Sequence, residues 1–417
     1  MIKTDDSKIK GKITNHSRDG NELSKTVLRL IWKEHQISRA DISKRLGLSR
    51  STVTEIVKKT LKTNLVSETG KGPSIGGRQP IILKFQDQAR GILGIDIGAT
   101  HVSVVLMDLR GHVLSWKEER FQVRNDPEGT RKLILELCDA SLASWKNGSK
   151  KILSIGVAVP SPVDPAHPEW LSEVVIPAWQ GRNELEPLHK KYGVPLYIDN
   201  DANLGALAEY WWGSGKNAKN LIFIKISHGI GAGIILDGEI YRGTKGTAGE
   251  LGHLPIDING ELCKCGLRGC LTTFLGETAL INKVQSLLIK YPESTLNYKS
   301  LSVKEIELAA LKGDTLAIRL VKESAEYMGV AISSLLNLLN PDTIVLGGSL
   351  AQTGDLFIEP IKKKIKQSAL INSSEITEIK SSALSSKTIA IGAATLALQE
   401  AFSEPNILRE RPQPGVL

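Results

Sequence analysis

The sequence predicts an N-terminal winged helix-turn-helix, an α-helical module with a β-wing, followed by a duplicated α/β domain. Three features support this prediction: short capped helices at the front, a repeated order of strands and glycine-rich turns, and an uneven charge. The first 90 of the 417 residues contain 19 Lys or Arg and 9 Asp or Glu, whereas the remainder contains 34 and 36. A basic module before a near-neutral body is typical of a protein whose front part binds a polyanion. Charge alone would also fit an ordinary solvated surface.

The front module begins with three predicted helices. Apolar residues at helical spacing predict the first helix over residues 21–36. Ser38 predicts the N-cap of a second helix, with Asp41 completing a capping box, and Gly47 ends this helix. Ser49 predicts the N-cap of a third helix. The apolar face of this third helix is predicted to contain Val53, Ile56 and Val57.

A predicted hairpin completes the module. Residues 65–68 and 80–85 have strand patterns, and residues 70–77 between them are rich in Gly, Pro and Ser. A third helix in the major groove and a basic wing along the phosphates would bind double-stranded DNA. Three-helix modules also bind proteins, so this alternative stays open. The candidate DNA contacts are Arg50, Ser51, Thr52, Thr54 and Lys58 on the third helix, with Lys71 and Arg78 at the wing.

The body contains an internal repeat. Residues 91–114 and residues 220–241 both show a strand, a turn containing glycine, a second strand, a tight turn and a third strand. This repeat predicts two α/β halves that face each other across a cleft. Ligands in such folds bind at the carboxyl ends of strands. The residues predicted at these ends are Asp96, Asn200, Asp201, Glu250 and the turn around His228.

Further elements are predicted from the same patterns. The strands are residues 151–160, 196–199 and 344–348, and the helices are residues 130–145, 203–210 and 391–400. Cys138, on the first of these helices, is predicted to be a small buried residue.

Three of the four cysteines cluster behind a histidine. The spacing H-x9-C-x-C-x4-C joins His253, Cys263, Cys265 and Cys270. Three thiolates and one imidazole satisfy tetrahedral zinc and leave no open position, so the site is predicted to be structural. A reduced or redox-switched thiol cluster is the alternative. Zinc on His253 would also fix the backbone of Glu250, three residues earlier.

The domain organisation follows from these patterns. We expect a flexible N-terminus over residues 1–20, the winged module over 21–86, the body over 91–402 and a disordered tail over 403–417. No run of about 18 apolar residues is present, and the N-terminus is polar, so we expect a cytoplasmic protein with no membrane partner.

Five motifs together resemble the ROK family (repressors, open reading frames and kinases). They are residues 96–100 (DIGAT), 199–203 (DNDAN), 229–233 (GIGAG), 249–253 (GELGH) and the cysteine cluster. The resemblance implies an actin-like (ribonuclease H-like, hexokinase-type) body that binds a monosaccharide in its cleft. The front module matches the repressor branch, which includes xylose and N-acetylglucosamine repressors.

The resemblance also implies residue roles. The positions that match sugar contacts are Asn200, Asp201, Glu250 and His253. In the kinases of the family, the carboxylate at Asp201 is the general base. The alternative role for Asp201 is the N-cap of a helix that begins near Ala202.

Several positions depart from the kinase pattern. Ala99 replaces a glycine and His101 a lysine in the first phosphate turn, and His228 replaces a threonine in the second. A Cβ and imidazoles at these places weigh against ATP as a ligand. Thr272 stands where the family often has a sugar-binding glutamate, which indicates a different sugar preference.

These observations favour a sugar-responsive transcriptional regulator, a repressor that a monosaccharide effector releases from operator DNA. Activation by the same mechanism stays open. Such proteins bind pseudo-palindromic DNA as homodimers or homotetramers. The alternative is an ATP-dependent sugar kinase with a DNA-binding arm, since Asp201 is present and residues 347–348 resemble an adenosine-side turn. A DNA-binding protein whose body only dimerises is the third hypothesis.

Overall fold

The computed structural model of the protein describes residues 20–71, 79–146, 151–173, 175–182, 185–297, 301–370 and 377–403. Apart from Gly20 and Ser403, the predicted flexible N-terminus and disordered tail lie outside the described residues. The same holds for the tip of the predicted wing.

The winged module contains three helices and a three-stranded sheet. Its elements are α1 (Gly20–Glu34), β1 (Gln36–Ser38), α2 (Arg39–Leu46), α3 (Arg50–Leu61), β2 (Val66–Lys71) and β3 (Ile81–Phe85). The strand order is β1-β3-β2, and both pairings are antiparallel.

The predicted caps are confirmed. The Ser38 hydroxyl accepts the Asp41 N–H at 3.1 Å, and the Ser49 hydroxyl accepts the Thr52 N–H at 3.1 Å. Gly47 ends α2 with φ 65°, a left-handed conformation that favours glycine. The predicted apolar face of α3 is buried. The chemistry of short polar residues at helix starts therefore located α2 and α3 correctly.

The end of the first helix is a correction. The apolar spacing predicted a helix through residue 36, but α1 ends at Glu34. His35 adopts φ 59°, which breaks the helix, and Gln36 then pairs with Lys84 as the first residue of β1. Pairing with β3 outweighs the local helical pattern here.

Two five-stranded sheets form the body. The first lobe contains β4 (Gly91–Ile97), β5 (His101–Asp108), β6 (Val113–Arg120), β7 (Ile152–Val159) and β8 (Leu196–Asn200). The second lobe contains β9 (Leu221–Ile226), β10 (Ile230–Leu236), β11 (Glu239–Ile240), β12 (Thr343–Gly348) and β13 (Glu378–Ser381).

The two sheets have the same topology. Their orders are β6-β5-β4-β7-β8 and β11-β10-β9-β12-β13. In each sheet the first three strands are antiparallel, and the fourth and fifth are parallel to the first. The predicted internal repeat is therefore confirmed as a duplicated α/β body.

Helices cover the sheets. They are α4 (Pro127–Ser144), α5 (Glu186–Tyr192), α6 (Asp201–Trp211), α7 (Thr272–Leu275), α8 (Glu277–Leu287), α9 (Val303–Leu311), α10 (Thr315–Leu339), α11 (Asp355–Ser368) and α12 (Thr388–Ser403). The sequence predicted that α6 begins at residue 203, whereas the helix begins at Asp201. Cys138 is fully buried on α4, as predicted.

Helix α12 packs at the centre of the body, between the first sheet and α6. Two glycines allow the close approach: a Cβ at Gly156 would lie 1.8 Å from the Ala393 carbonyl oxygen, and a Cβ at Gly392 would lie 1.8 Å from the Leu204 carbonyl oxygen. Helix α12 therefore connects β7 to α6 through backbone contact.

The winged module is fixed to the body at the far end of α12. Trp32 donates its indole N–H to the Leu109 carbonyl at 2.7 Å, and its ring lies 5.9 Å from that of Phe402. The Arg110 guanidinium binds Asp87 at 2.9 Å and the Trp32 carbonyl at 2.6 Å, and lies over the Trp32 ring. These side chains form a polar and aromatic joint between module and body.

Among the described residues, none of the helices combines the length and hydropathy that a bilayer-spanning segment needs.

Candidate functional site

The exposed face of α3 contains the helical DNA-contact candidates. Arg50, Ser51, Thr54 and Lys58 are exposed, and Thr52 is half-buried. The Ser49 hydroxyl lies 2.8 Å from the hydroxyls of both Ser51 and Thr52, so the capping network orients these two side chains. The five residues therefore lie on one accessible helix, and their contact with DNA remains a prediction.

The two wing candidates are less completely described. Lys71 is the last residue of β2, and only its backbone is described. Arg78 lies outside the described residues.

Asn200 caps helix α6. Its Oδ1 accepts the N–H groups of Ala202 and Asn203 at 2.9 and 3.4 Å, and its Nδ2 donates to the Ser161 carbonyl at 3.1 Å. The alternative role of Asp201 as the N-cap is therefore wrong, because Asn200 occupies that position and Asp201 is the first residue of α6.

A buried ion pair stabilises the backbone beside Asn200. Asp199 is 1% exposed, and Arg242 donates to its Oδ2 at 2.7 and 2.8 Å. Its other oxygen accepts the Asn200 N–H at 2.7 Å and the Asn203 amide at 3.0 Å. Arg242 thus ties the segment after β11 to the end of β8. Sequence reasoning missed Arg242, and no motif marks it.

Asp201, the first residue of α6, forms an ion pair with Lys225 of β9. The carboxylate side chain is 8% exposed and the lysine side chain 22%. Burial lowers the Lys225 pKa, but the charges of Asp201 and Asp96 outweigh it, so the pKa is raised and the ammonium stays charged. Sequence reasoning missed this lysine. The available signal was one cation inside the apolar strand LIFIKI.

The two predicted imidazole departures also pair with carboxylates. His101 lies 3.1 Å from Asp96, and His228 lies 2.7 Å from Glu277. Burial opposes protonation of His101, but the hydrogen bond and charge of Asp96 outweigh it and raise its pKa. The hydrogen bond from His228 lowers the Glu277 pKa. Both imidazoles therefore interact with acidic groups at the glycine-rich turns.

Glu250 is exposed and lies close enough to Asp201 and His253 for their charges to affect its pKa. Loss of surrounding water raises its pKa, His253 opposes the rise and Asp201 adds to it. The preceding Gly249 has φ 92°, and a Cβ there would lie 1.8 Å from the Ala232 carbonyl oxygen. This close contact with β10 fixes the segment that presents Glu250.

The predicted metal-binding residues come together. One donor atom from each of His253, Cys263, Cys265 and Cys270 lies within 4.8 Å of all the others. His253 Nδ1 is 3.6 Å from Cys263 Sγ, and Cys265 Sγ is 3.6 Å from Cys270 Sγ. Thiolates ~2.3 Å from a tetrahedral ion would be separated by roughly 3.8 Å. The geometry of the cluster therefore fits one metal ion, which would link the cysteine loop to His253.

Family models match both parts of the chain. A model described as the ROK family matches residues 92–400, and one described as winged helix-turn-helix DNA-binding matches residues 21–66. A xylose repressor from Caldicellulosiruptor bescii is 31% identical over 387 residues, which cover 91% of this chain and 96% of that protein.

Solved structures confirm the predicted architecture. A ROK family transcriptional regulator, a homologue of the E. coli MLC protein, matches with a TM-score of 0.78 at 27% identity, over 93% of this chain and 98% of that one. A ROK family glucokinase from Streptomyces griseus, in complex with glucose and AMPPNP, matches with a TM-score of 0.62 at 26% identity, over 74% and 99%.

Proposed function

The chain belongs to the ROK family, and from this premise we propose that it is a sugar-responsive DNA-binding transcriptional regulator. It represses carbohydrate-utilisation genes, and a monosaccharide releases it from its operator. The observation that carries the proposal is the winged module, with an exposed α3, fixed to a body of the sugar-kinase type. The match to a xylose repressor over nine-tenths of the chain supports the same function.

The DNA partner is double-stranded operator DNA. Helix α3 enters the major groove with Arg50, Ser51, Thr52, Thr54 and Lys58 towards bases and phosphates, and Lys71 and Arg78 of the wing contact the backbone. Two modules in a homodimer or homotetramer would read a pseudo-palindromic site.

The monosaccharide binds in the cleft between the lobes. Asp201 and Glu250 accept hydrogen bonds from sugar hydroxyls, and His253 contributes the ring nitrogen that faces away from the cysteines. Asn200 caps the start of α6, and its amide is a further candidate contact for a sugar hydroxyl.

The metal is a structural zinc ion. Three cysteines and His253 provide four ligands, which is the full set for a closed tetrahedral site. Zinc bound to His253 Nδ1 holds the segment from Gly249 to His253 in place, so the zinc positions Glu250 without contacting the sugar.

The test is fluorescence anisotropy of labelled DNA from upstream of the protein's own gene, at fixed salt because phosphate contacts dominate affinity. We expect specific binding that xylose or another monosaccharide releases without ATP. Glu250→Gln should lose the sugar response and keep DNA affinity. Binding that no sugar changes, or no preference over a scrambled duplex, would contradict the proposal.

Sugar kinase activity is the second candidate function. The glucokinase match and the presence of Asp201 favour it. The contacts of Asp201 with Lys225, of His101 with Asp96 and of His228 with Glu277 oppose it. A coupled assay of ADP release with hexoses and xylose tests it. Turnover above the sugar-free rate that disappears in Asp201→Asn would establish a kinase.

A further inference from the structure

The turn between β5 and β6 supports the winged module through two consecutive residues. The Leu109 carbonyl accepts the indole N–H of Trp32 at 2.7 Å, and the Arg110 guanidinium donates to the Trp32 carbonyl at 2.6 Å. The Asp108 carboxylate fixes the turn itself, because its Oδ1 accepts the N–H groups of Arg110 at 2.8 Å and His112 at 2.9 Å. A displacement of this turn would therefore move the point at which the winged module is attached.

Gly111, in the same turn, lies against the ring of Trp212. Gly111 has φ 88°, and a Cβ at this position would lie 2.6 Å from Cη2 and 2.7 Å from Cζ2 of the Trp212 ring. Any other residue would collide with the ring and would be strained in this backbone conformation. The tryptophan ring therefore packs directly on the backbone of the turn.

Trp212 caps the end of α6, the helix whose first residue is Asp201. The Trp212 backbone N–H donates to the Ala208 carbonyl at 2.8 Å, and its indole N–H donates to the Thr395 hydroxyl of α12 at 2.8 Å. All 11 residues from Asp201 to Trp211 are buried, and a helix of this length spans about 16 Å. A helix packed on all sides moves as a unit, so a displacement at Asp201 also displaces Trp212.

The end of α6 is also tied to the second lobe. The Glu209 side chain is fully buried, and its carboxylate accepts the Ser214 N–H at 2.7 Å and the Ser382 hydroxyl. The Ser214 hydroxyl donates to the carbonyl of Ser381, the last residue of β13, at 2.8 Å. Trp212 therefore lies where a helix end that is bound to the second lobe meets a turn of the first lobe. A change in the relative position of the two lobes would alter the contact of Trp212 with that turn.

We propose that Trp212 is the positioning residue that transmits sugar binding at the start of α6 to the winged module, by displacing the turn that holds Trp32. The inference rests on the proposed function and specifies how its two sites are coupled. Trp212 lies at the opposite end of α6 from Asp201 and outside α3. Its replacement should therefore reduce the coupling between the two sites and leave each separate binding reaction intact.

The experiment measures a coupling factor for the full-length protein: the dissociation constant for labelled DNA from upstream of its own gene with saturating sugar, divided by that without sugar. The probes are D-xylose, D-glucose and N-acetylglucosamine, and the sugar that releases the wild-type protein is used for the variants. Affinity for DNA is measured by anisotropy at fixed salt, and affinity for the sugar by calorimetry without DNA.

Three variants separate the two contacts of the indole. Trp212→Leu removes the ring from the turn, Trp212→Phe keeps a ring but no N–H donor, and Thr395→Val removes the acceptor of that N–H at similar shape. The matched control is Tyr327→Leu, because Tyr327 is a half-buried aromatic residue of α10 in the second lobe, with its ring 4.5 Å from that of Phe274.

We expect Trp212→Leu to lower the coupling factor at least threefold, while its DNA affinity without sugar and its sugar affinity without DNA stay within threefold of the wild type. Trp212→Phe and Thr395→Val should keep the coupling factor within twofold, because a ring still packs on the turn. Tyr327→Leu should not change it. An unchanged coupling factor in Trp212→Leu, or an equal loss in Tyr327→Leu, would overturn the inference.

Hydrogen exchange in the wild-type protein tests the inference without any substitution. The sugar should change the exchange rates of the Arg110 and Gly111 N–H groups at least threefold, and unchanged rates would overturn the inference even if Trp212→Leu does not fold. Specific DNA binding that none of the three sugars releases would defeat the proposed function. Sugar-released DNA binding with full coupling in Trp212→Leu would defeat only this inference.

Discussion

The residues of the candidate site differ in how well the sequence alone predicts their roles. The cysteines and His253 were predicted because metal ligands must be close in space and are often close in sequence. Lys225 and Arg242 were not, because each pairs with a carboxylate on another element, and nothing near either residue in sequence specifies that partner. Short-range chemistry is therefore predictable here, whereas ion pairs between elements require the fold.

At this scale, Cys270→Ala should remove the metal. Cys270 is fully buried in the cluster, and three remaining ligands cannot complete a closed tetrahedral site. We expect about one zinc per chain in the wild-type protein and far less in the variant, together with a weaker sugar response. Zinc is measured by a colorimetric chelator after denaturation. The control is Cys138→Ala, whose thiol is buried on α4, and equal zinc in Cys270→Ala and the wild type would refute a four-ligand site.

Arg242→Met should destabilise the body. It leaves the buried Asp199 carboxylate without its cation. Loss of one partner of a buried pair costs about 3 kcal/mol, a value at the low end of the usual range because Arg242 itself is partly exposed. The free energy of unfolding is measured by urea titration. Lys245→Met, in the same segment, breaks a solvent-exposed 3.4 Å pair with Asp164 and should cost much less than Arg242→Met. Equal losses of unfolding free energy in the two variants would show that the Asp199–Arg242 pair stabilises the body no more than the Asp164–Lys245 pair does.

Among the elements, those with strong local signals were predicted closely. The start of α3 and the end of α2 follow from a serine cap and a left-handed glycine. The three-residue strand β1 was missed, because it is defined only by its pairing with β3. The early start of α6 was missed because Asn200 caps it while ending the preceding strand.

The prediction for DNA affinity concerns Arg50 on helix α3. Arg50 is exposed in its first turn, where helix N–H groups and a guanidinium both favour a phosphate. Arg50→Gln should weaken operator binding and, if the contact is to a phosphate, reduce the slope of log affinity against log salt by about 1. The control is Lys322→Gln, exposed on α10 of the second lobe. Anisotropy titrations at several salt concentrations that show the same affinity and slope for Arg50→Gln as for the wild type would exclude Arg50 from the interface.

At the scale of the whole molecule, a sugar bound at the proposed site must affect DNA binding by the winged module through the structure that connects them. Helix α12 packs along α6, whose first turn contains Asp201, and ends against the winged module at Phe402. At that joint the Arg29 guanidinium also donates to the Ser403 hydroxyl at 2.9 Å. Helix α12 therefore contacts both the winged module and α6, the helix that begins at the proposed sugar contact Asp201.

Arg110→Met should uncouple the two sites. Arg110 joins Asp87 and the Trp32 carbonyl, so its loss loosens the joint while leaving α3 and the cleft residues intact. Linkage requires the sugar to weaken DNA binding by the same factor as DNA weakens sugar binding, commonly about 5- to 150-fold. Both factors are measured by anisotropy and calorimetry, and both should fall together in Arg110→Met. The control is Arg124→Met. Arg124 is an exposed arginine of the first lobe that donates to the Val175 carbonyl, so neither coupling factor should change in this variant. If Arg110→Met keeps the full coupling factor, the signal reaches the module by a route other than this joint.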